Sequence, residues 1–556
     1  MSTNIDLLIQ YDVILWTLIS IVLLVLIIPK ALQRKHLIES SKKLPGPPVG
    51  KNHPYPWLQE LGTFKSLPSV PERPHLRIIP PWLMKQYMHY SKEENGGHGL
   101  FRIWAFNPFR IPFARCMVHV FDPNLANDIL SSKSYGKFSK GHVYELASPL
   151  VGDSMLTLDD GVEWKRQRKI ASSGFGHAVL EYTTEVATNI LRDDIFPKWD
   201  VLSKTPSKQS ADMVQYMLRF TLDVIGEVAF SYSFQSVKNM PHDIDKEKDD
   251  TMYDTFNTLI EILMVCYRSL PFQSFLPSKL NRKFKAACNK LNLVVNKIVT
   301  DRTKEQEMSE KSSSKEHKKW KDLLSQLLIK DDSGNRLSHK FISGNIRMFL
   351  FAGHDTTAMT LSYCLWHLAT NHNIQEELYN EILPLFISTK NNPTYKDLRN
   401  LKLLDAIMKE TLRINAPAGI SRRAIDDVII GNKEEGKNQY LIPKGCEVYI
   451  YPHSLQRHPK YWDNPDIFDP SRFLSLGENN NQKDNIEIPG PFIPFSVGPR
   501  NCIGLQLAMA EIRATIAHII FRYKLKPFDD KKQPYPIFMM TIRPHEVLLS
   551  INIRED

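Results

Sequence analysis

Cysteine is scarce and scattered in this chain. The 556 residues hold six, Cys116, Cys266, Cys288, Cys364, Cys446 and Cys502, with no C-x-x-C pair among them. A disulfide framework has no basis in so long a chain with so few thiols, and a zinc site has no ligand spacing to stand on. No Gly-x-Gly-x-x-Gly fingerprint is present, so the chain shows no dinucleotide site of its own. Internal repeats are lacking too. Aromatic side chains are not interleaved with basic ones in any platform, which removes the main signature of nucleic-acid binding. Apolar residues are not lacking: they make up 42% against 24% charged, enough for a large core and too many for wholesale disorder. The 71 Lys and Arg outnumber the 61 Asp and Glu by ten, a balance that favours acidic partners or an anionic membrane surface.

The longest apolar stretch lies at the N-terminus. Leu7 to Ile28 is 22 residues with Asp12 as its one charge. At ~1.5 Å per residue a helix there spans roughly 33 Å, enough for a hydrocarbon core of about 30 Å. Lys30, Arg34, Lys35, Lys42 and Lys43 follow it, so the positive-inside rule places the rest of the chain in the cytoplasm. The basic residues come after the run, and no small-x-small site follows, which argues against a cleaved signal peptide. Next comes Leu44-Pro45-Gly46-Pro47-Pro48, whose prolines impose a stiff extended elbow. The expected division is an anchor with its basic flank, Met1 to Lys43, and a globular body, Leu44 to Asp556.

Within the body, Phe101 to Phe121 alternates as a hairpin does. From Asp122 to Asn415 the patterns are mostly helical. Arg302 to Lys321 is rich in Lys, Glu and Ser without an apolar stripe, and reads as a mobile surface linker. Glu434 to Asn438 reads as a hairpin tip and Gly477 to Asn485 as a loop. After Asn415 short strands and turns prevail until a helix begins near Gly504. The expected class is mainly α with a smaller β-rich portion.

The strongest chemical signal is Phe495-Ser496-Val497-Gly498-Pro499-Arg500-Asn501-Cys502-Ile503-Gly504. A Gly/Pro-rich loop delivers one cysteine just before a helix N-terminus. There the positive end of the helix dipole and unpaired N–H groups favour a thiolate, and Arg500 adds charge. The other five cysteines read as small buried apolar residues. The loop matches Phe-x-x-Gly-x-Arg-x-Cys-x-Gly, and five fixed positions arise by chance in roughly 2 of 10,000 chains of this length. On these residues the chain resembles the cytochrome P450 family, in which the cysteine thiolate is the axial ligand of haem iron.

Further motifs carry the resemblance from Leu44 to the end. Ala352-Gly353-His354-Asp355-Thr356-Thr357 is similar to the family's oxygen-activation motif on its long central helix. There a Gly, an acid and a hydroxyl can open backbone hydrogen bonding and hold a water. The resemblance implies that Thr356 hydrogen-bonds the dioxygen being activated and that Asp355 relays protons. Glu410-Thr411-Leu412-Arg413 is a Glu-x-x-Arg pattern whose ends share a helix face. Asp469-Pro470-Ser471-Arg472-Phe473 resembles the stretch whose arginine joins that pair, so Glu410, Arg413 and Arg472 are expected to form a buried structural cluster. Trp164 and Arg168 stand one helical turn apart and are implied to meet one haem propionate, with Arg500 on the other. Arg422 is a further candidate, and its neighbour Arg423 an alternative.

The resemblance implies haem b as cofactor, O2 as co-substrate and insertion of one oxygen atom into a lipophilic substrate. NADPH would act through NADPH–cytochrome P450 reductase, with cytochrome b5 as an additional donor. The body would face the cytoplasm from the endoplasmic reticulum membrane, with Arg166, Lys169 and Arg500 as candidates for steering an acidic reductase surface. No nucleic-acid partner is expected. The pocket is expected between residues 143–156, 348–356, 416–420 and 537–542. Rival readings are an isomerase or dehydratase that needs no reductase, and an anchored haem sensor or carrier.

Overall fold

The computed structural model describes residues 36–37, 39–41, 43–45, 69–70, 73–77, 98–105, 115–205, 210–240, 251–268, 278–311, 322–329, 337–432, 438–474 and 491–555. The proposed anchor, the Gly477–Asn485 loop and most of the 434–438 tip lie outside them. Among the described residues no helix is long and apolar enough to cross a membrane.

Helices dominate. The principal ones are α1 (Pro123–Leu130), α2 (His142–Val151), α3 (Val162–Ser172), α4 (His177–Ile190), α5 (Met213–Phe230), α6 (Met252–Arg268), α7 (Lys279–Lys311), α8 (His339–Thr370), α9 (His372–Ser388), α10 (Lys402–Ile414) and α11 (Leu505–Arg522). Their starts follow local chemistry. Asp122 accepts from the N–H groups of Asn124 and Leu125 with Pro123 at the first helical position, and Ser338 caps α8. The 32 residues of α8 span about 48 Å. It is apolar nearly all round and therefore central. It packs along α5 and touches α2, α10 and α11. Gly353 permits a close approach to α5: a Cβ there would stand 2.9 Å from Ile225 Cγ1.

The strands lie beside this helical mass. A five-stranded sheet is built from β1 (Leu100–Ala105), β2 (Arg115–Val120), β3 (Phe138–Lys140), β5 (Ile420–Ala424) and β6 (Glu447–Ile450), in the order β1-β2-β6-β5-β3. Only β2 and β6 run parallel in it. One face is apolar, with Leu100, Val118, Val120, Ile420, Val448 and Ile450 in one cluster. The short strand β4 (Ser210–Asp212) joins β7 (Tyr523–Pro527) and β10 (Leu548–Ile553), while β8 (Pro536–Met539) and β9 (Thr541–Pro544) form a hairpin. The expected hairpin at 101–121 is thus β1 and β2, and strands Val428–Ile430 and Tyr440–Ile442 flank the expected tip.

One expectation fails. Arg302 to Lys311 is not a linker but the last turns of α7. Val295, Ile298 and Val299 form a buried stripe, and Arg302 continues it inward. Its guanidinium donates to Asp322 Oδ1 at 2.8 Å, Ser325 Oγ at 2.9 Å and Phe230 O at 3.2 Å. A buried, satisfied cation takes the place of an apolar side chain, so a hydropathy pattern stops one turn too early.

Candidate active site

The cysteine loop is held by its backbone. The N–H of Cys502 donates to Phe495 O at 2.9 Å, that of Asn501 to Gly498 O at 3.1 Å, and α11 starts at Leu505. Gly498 has φ +74°, and a Cβ on it would lie 2.1 Å from Leu130 O at the end of α1. Only glycine allows both the turn and the contact. Cys502 is exposed, whereas Cys116, Cys364 and Cys446 are buried and Cys288 is half-buried. The surrounding protein nevertheless pushes the Cys502 thiol above its ordinary pKa, opposed by the Gly504 N–H and the Arg168 guanidinium. The residue is thus open to solvent while its thiol feels the surrounding protein. A Cβ built on Gly504 would meet nothing within 4 Å but that sulfur, at 4.0 Å.

Four cations surround this loop. Arg168 donates to Asn501 O at 2.7 Å and to Asn501 Oδ1 at 2.6 Å, so α3 is tied to the residue before the cysteine. Arg500 donates to Asp160 at 2.7 Å and to the carbonyls of Met155 and Leu158, over the face of Trp164 at 3.9 Å. Arg168 therefore reaches the loop at Asn501 and Trp164 at Arg500. Arg422 and Lys140 are direct cross-strand partners on β5 and β3. Like charges opposite one another are unfavourable without an anion between them. Burial first, then Arg422 and Arg500, drives the Lys140 ammonium well below its ordinary pKa, against Asp160 and Asp159. Arg423, one residue on, points the other way and pairs with Glu145 and Glu447, both at 2.6 Å. The strand's alternation thus separates the two candidates: Arg422 faces the cysteine side and Arg423 does not.

The recess beside these cations is lined by Ser131, Tyr135, Phe138, Asp160, Arg422 and Arg500, among others. Among the described residues, Ser131 Oγ and Tyr135 Oη are buried there without a hydrogen-bond partner. Asp160, Tyr135 and Ser131 were not singled out from sequence. Their one signal is position: Asp160 lies four residues before Trp164. Excess positive charge, two unused hydroxyls and an open-sided thiol fit a flat dianionic ligand with a thiolate-seeking metal at its centre, which describes an iron porphyrin.

The motif with Asp355 and Thr356 lies on α8. Within the buried middle of that helix, Ala352, Gly353 and Thr356 remain partly accessible, while His354 and Asp355 are buried. Thr356 Oγ1 donates to Ala352 O at 2.8 Å, so the helix runs on unbroken and Gly353 serves helix packing rather than helix opening. Both carboxylate oxygens of Asp355 are engaged, by Thr541 Oγ1 at 2.5 Å and by Arg543. Sequence reading missed Thr541 and Arg543, which lie 186 and 188 residues further along. The four expected pocket stretches come together: α8 touches α2 and β9, and the N–H of Ile542 donates to Pro417 O at 2.7 Å.

Below the cysteine side stands the expected cluster. Arg413 donates to both oxygens of Glu410, at 2.7 and 2.8 Å, with both side chains fully buried. Arg472 Nε lies 3.4 Å from Glu410 Oε1, and the N–H of Asp469 donates to the same oxygen at 2.9 Å. Arg413 also donates to the carbonyls of Gln456, Pro465 and Ile467, over the Trp462 ring.

Comparison with known proteins agrees with this geometry. The cytochrome P450 family model matches residues 111–549. Mouse cytochrome P450 4V2 is 29% identical over 400 residues, 70% of this chain and 71% of the relative. Mouse leukotriene-B4 omega-hydroxylase 3 is 29% identical over 408 residues, 71% of this chain and 72% of the relative. The crystal structure of the cytochrome P450DA heme domain shares the fold, with a TM-score of 0.69 at 23% identity, covering 92% of this chain and 98% of that one. With most of its length matched and its thiol presented at the head of α11, the chain belongs to the cytochrome P450 family and is a haem-thiolate monooxygenase.

Proposed function

We propose that Cys502 would bind the iron of haem b, and that Arg422, Arg500, Arg168 and Trp164 would hold its propionate side with help from Lys140 and Tyr135. The observation that carries this reading is the exposed thiol at the start of α11 beside a cationic recess with unused buried hydroxyls. The bound haem supplies the oxygen-activating chemistry, while the chain supplies ligand, orientation and proton supply. The net reaction consumes a C–H bond, O2, two electrons and two protons, and yields an alcohol and water. Thr356 presents its hydroxyl on the open strip of α8, where its oxygen can accept from a group in the pocket and can donate to one by giving up its bond to Ala352 O. Asp355, beside it, is the acid that supplies protons, and Glu410, Arg413 and Arg472 keep the haem-side core rigid.

Electrons come from NADPH through NADPH–cytochrome P450 reductase, with cytochrome b5 as a second donor. Lys165 and Lys169 lie exposed on α3, the helix that ties onto the cysteine loop, and suit an acidic partner. The body, 44–556, is tethered to the endoplasmic reticulum membrane by the anchor in 1–43. A lipophilic substrate fits walls that carry Ile420, Ile537, Met539 and Ile542. One relative is named an omega-hydroxylase of leukotriene B4, so long-chain lipids are the first substrates to test. Substrate-difference spectra across a lipophilic library test the pocket, with long-chain lipids expected to shift the Soret band; no response from any lipid removes that substrate class. Deleting residues 1–43 is expected to release the protein from membranes.

A further inference from the structure

The acid on the central helix is not left to itself. Asp355 is completely buried, and its two oxygens are divided between two side chains of one strand: Oδ2 accepts from Thr541 Oγ1 and Oδ1 from Arg543 Nη2. Arg543 is also buried, and its Nε has no hydrogen-bond partner among the described residues, so the contact with Asp355 is what holds it. The same strand, β9, is fastened to the pocket wall by the hydrogen bond from Ile542 N to Pro417 O. It leaves the turn at Met540, where φ is +64°, and β8 across that turn carries the buried Ile537 and Met539. The hairpin that packs against α8 is therefore also the part that aims the acid.

We propose that Arg543 and Thr541 are positioning residues for proton delivery: they fix the orientation of Asp355 and couple it to the wall formed by β8 and β9. This rests on the reading of Asp355 as the proton-supplying acid. The two protons that the net reaction consumes come from solvent; Asp355 passes them one at a time toward the Thr356 side of the pocket, each one it gives up being replaced, and ends the cycle as it began. Arg543 keeps its charge throughout, and nothing else is consumed. Misplacing a reacting group by about 1 Å can cost up to about a hundredfold, so loosening the clamp acts on turnover while leaving substrate binding nearly intact.

The test uses the haem-loaded enzyme with its electron-donating partner, and compares Arg543→Gln, Arg543→Lys, Thr541→Val and Asp355→Asn with the unaltered protein. Product formed per electron pair consumed and the solvent kinetic isotope effect are measured, with the reduced-CO spectrum as a check on Cys502. A double-mutant cycle of Asp355→Asn and Arg543→Gln on thermal stability reads the contact without turnover. Arg543→Gln and Asp355→Asn are each expected to lower coupled product about tenfold or more and to raise the isotope effect, with little change in KM. Their combination is expected to be no worse than either alone, and Arg543→Lys to recover most of the loss. If Asp355→Asn is impaired while Arg543→Gln couples normally, or if the two losses multiply, the positioning role is wrong and the acid's role stands. If Asp355→Asn couples normally, the acid's role itself is wrong. Should Arg543→Gln fail to fold, Thr541→Val decides, because it removes a hydroxyl without unpairing a charge: an unchanged isotope effect in that variant overturns the proposal.

Discussion

Replacing Glu410 with alanine probes the buried cluster on which the haem-side core stands. The substitution removes two charge-assisted hydrogen bonds from Arg413, at 2.7 and 2.8 Å, and the acceptor for the N–H of Asp469. Arg413 remains, fully buried, with main-chain carbonyls as its acceptors. Breaking a buried pair by removing one partner costs about 3–5 kcal/mol. Two bonds to charged groups at about 1.5–3 kcal/mol each give about 3–6 kcal/mol, an overlapping range. Three carbonyls still solvate the guanidinium, so the expected loss is about 4 kcal/mol. A body of about 500 residues has an unfolding entropy near 1 kcal/mol per kelvin, so this loss lowers Tm by about 4 °C if the body unfolds as a unit. Thermal unfolding at one fixed scan rate, followed by circular dichroism and by the Soret band, measures it. The paired substitution Glu410→Leu with Arg413→Met removes both charges and is expected to recover most of the loss. A Tm drop below about 1 °C in Glu410→Ala would refute the view that an unpaired buried charge is what costs energy here. So would a double variant less stable than the single one.

Cys502→Ser is expected to abolish the red-shifted Soret band of the reduced CO complex; an unchanged band excludes Cys502 as ligand. Thr356→Ala is expected to retain haem but divert electrons to peroxide, measured as peroxide per electron pair, and full coupling removes the Thr356 hydroxyl from the oxygen pathway. His119 is buried between Phe101 and Tyr449 with both ring nitrogens unpaired among the described residues, and burial holds its pKa down to about 3 from an ordinary 6.5. Its neutral form is favoured in the native state, so its contribution is present above pH 6.5 and lost as pH falls toward 3. At pH 5 that is about 2 kcal/mol. His119→Phe keeps the stacking and is expected to flatten stability against pH between 7 and 5; an identical acid slope in the variant assigns that loss to other groups.

Much of this protein can be read from its chain because the relevant signals are local. Gly498, Arg500, Cys502 and Gly504 lie within seven residues, and the turn, the helix start and the exposed sulfur follow from their order. Glu410 and Arg413 share a helix face by spacing alone, and the alternation of β5 separates Arg422 from Arg423 once the strand is known. The class, mainly helical with a smaller sheet portion, follows from periodicity in the same way. Tertiary structure decided what depends on segments distant in sequence. Arg302 reads as linker charge until Asp322 and Phe230 O meet it, and Asp160 has no motif until it meets Arg500. The clamp on Asp355 joins groups nearly 190 residues apart. Short-range periodicity and capping record the local conformation of a segment. The partner that satisfies a buried charge is set by packing between elements, which no single stretch of sequence encodes.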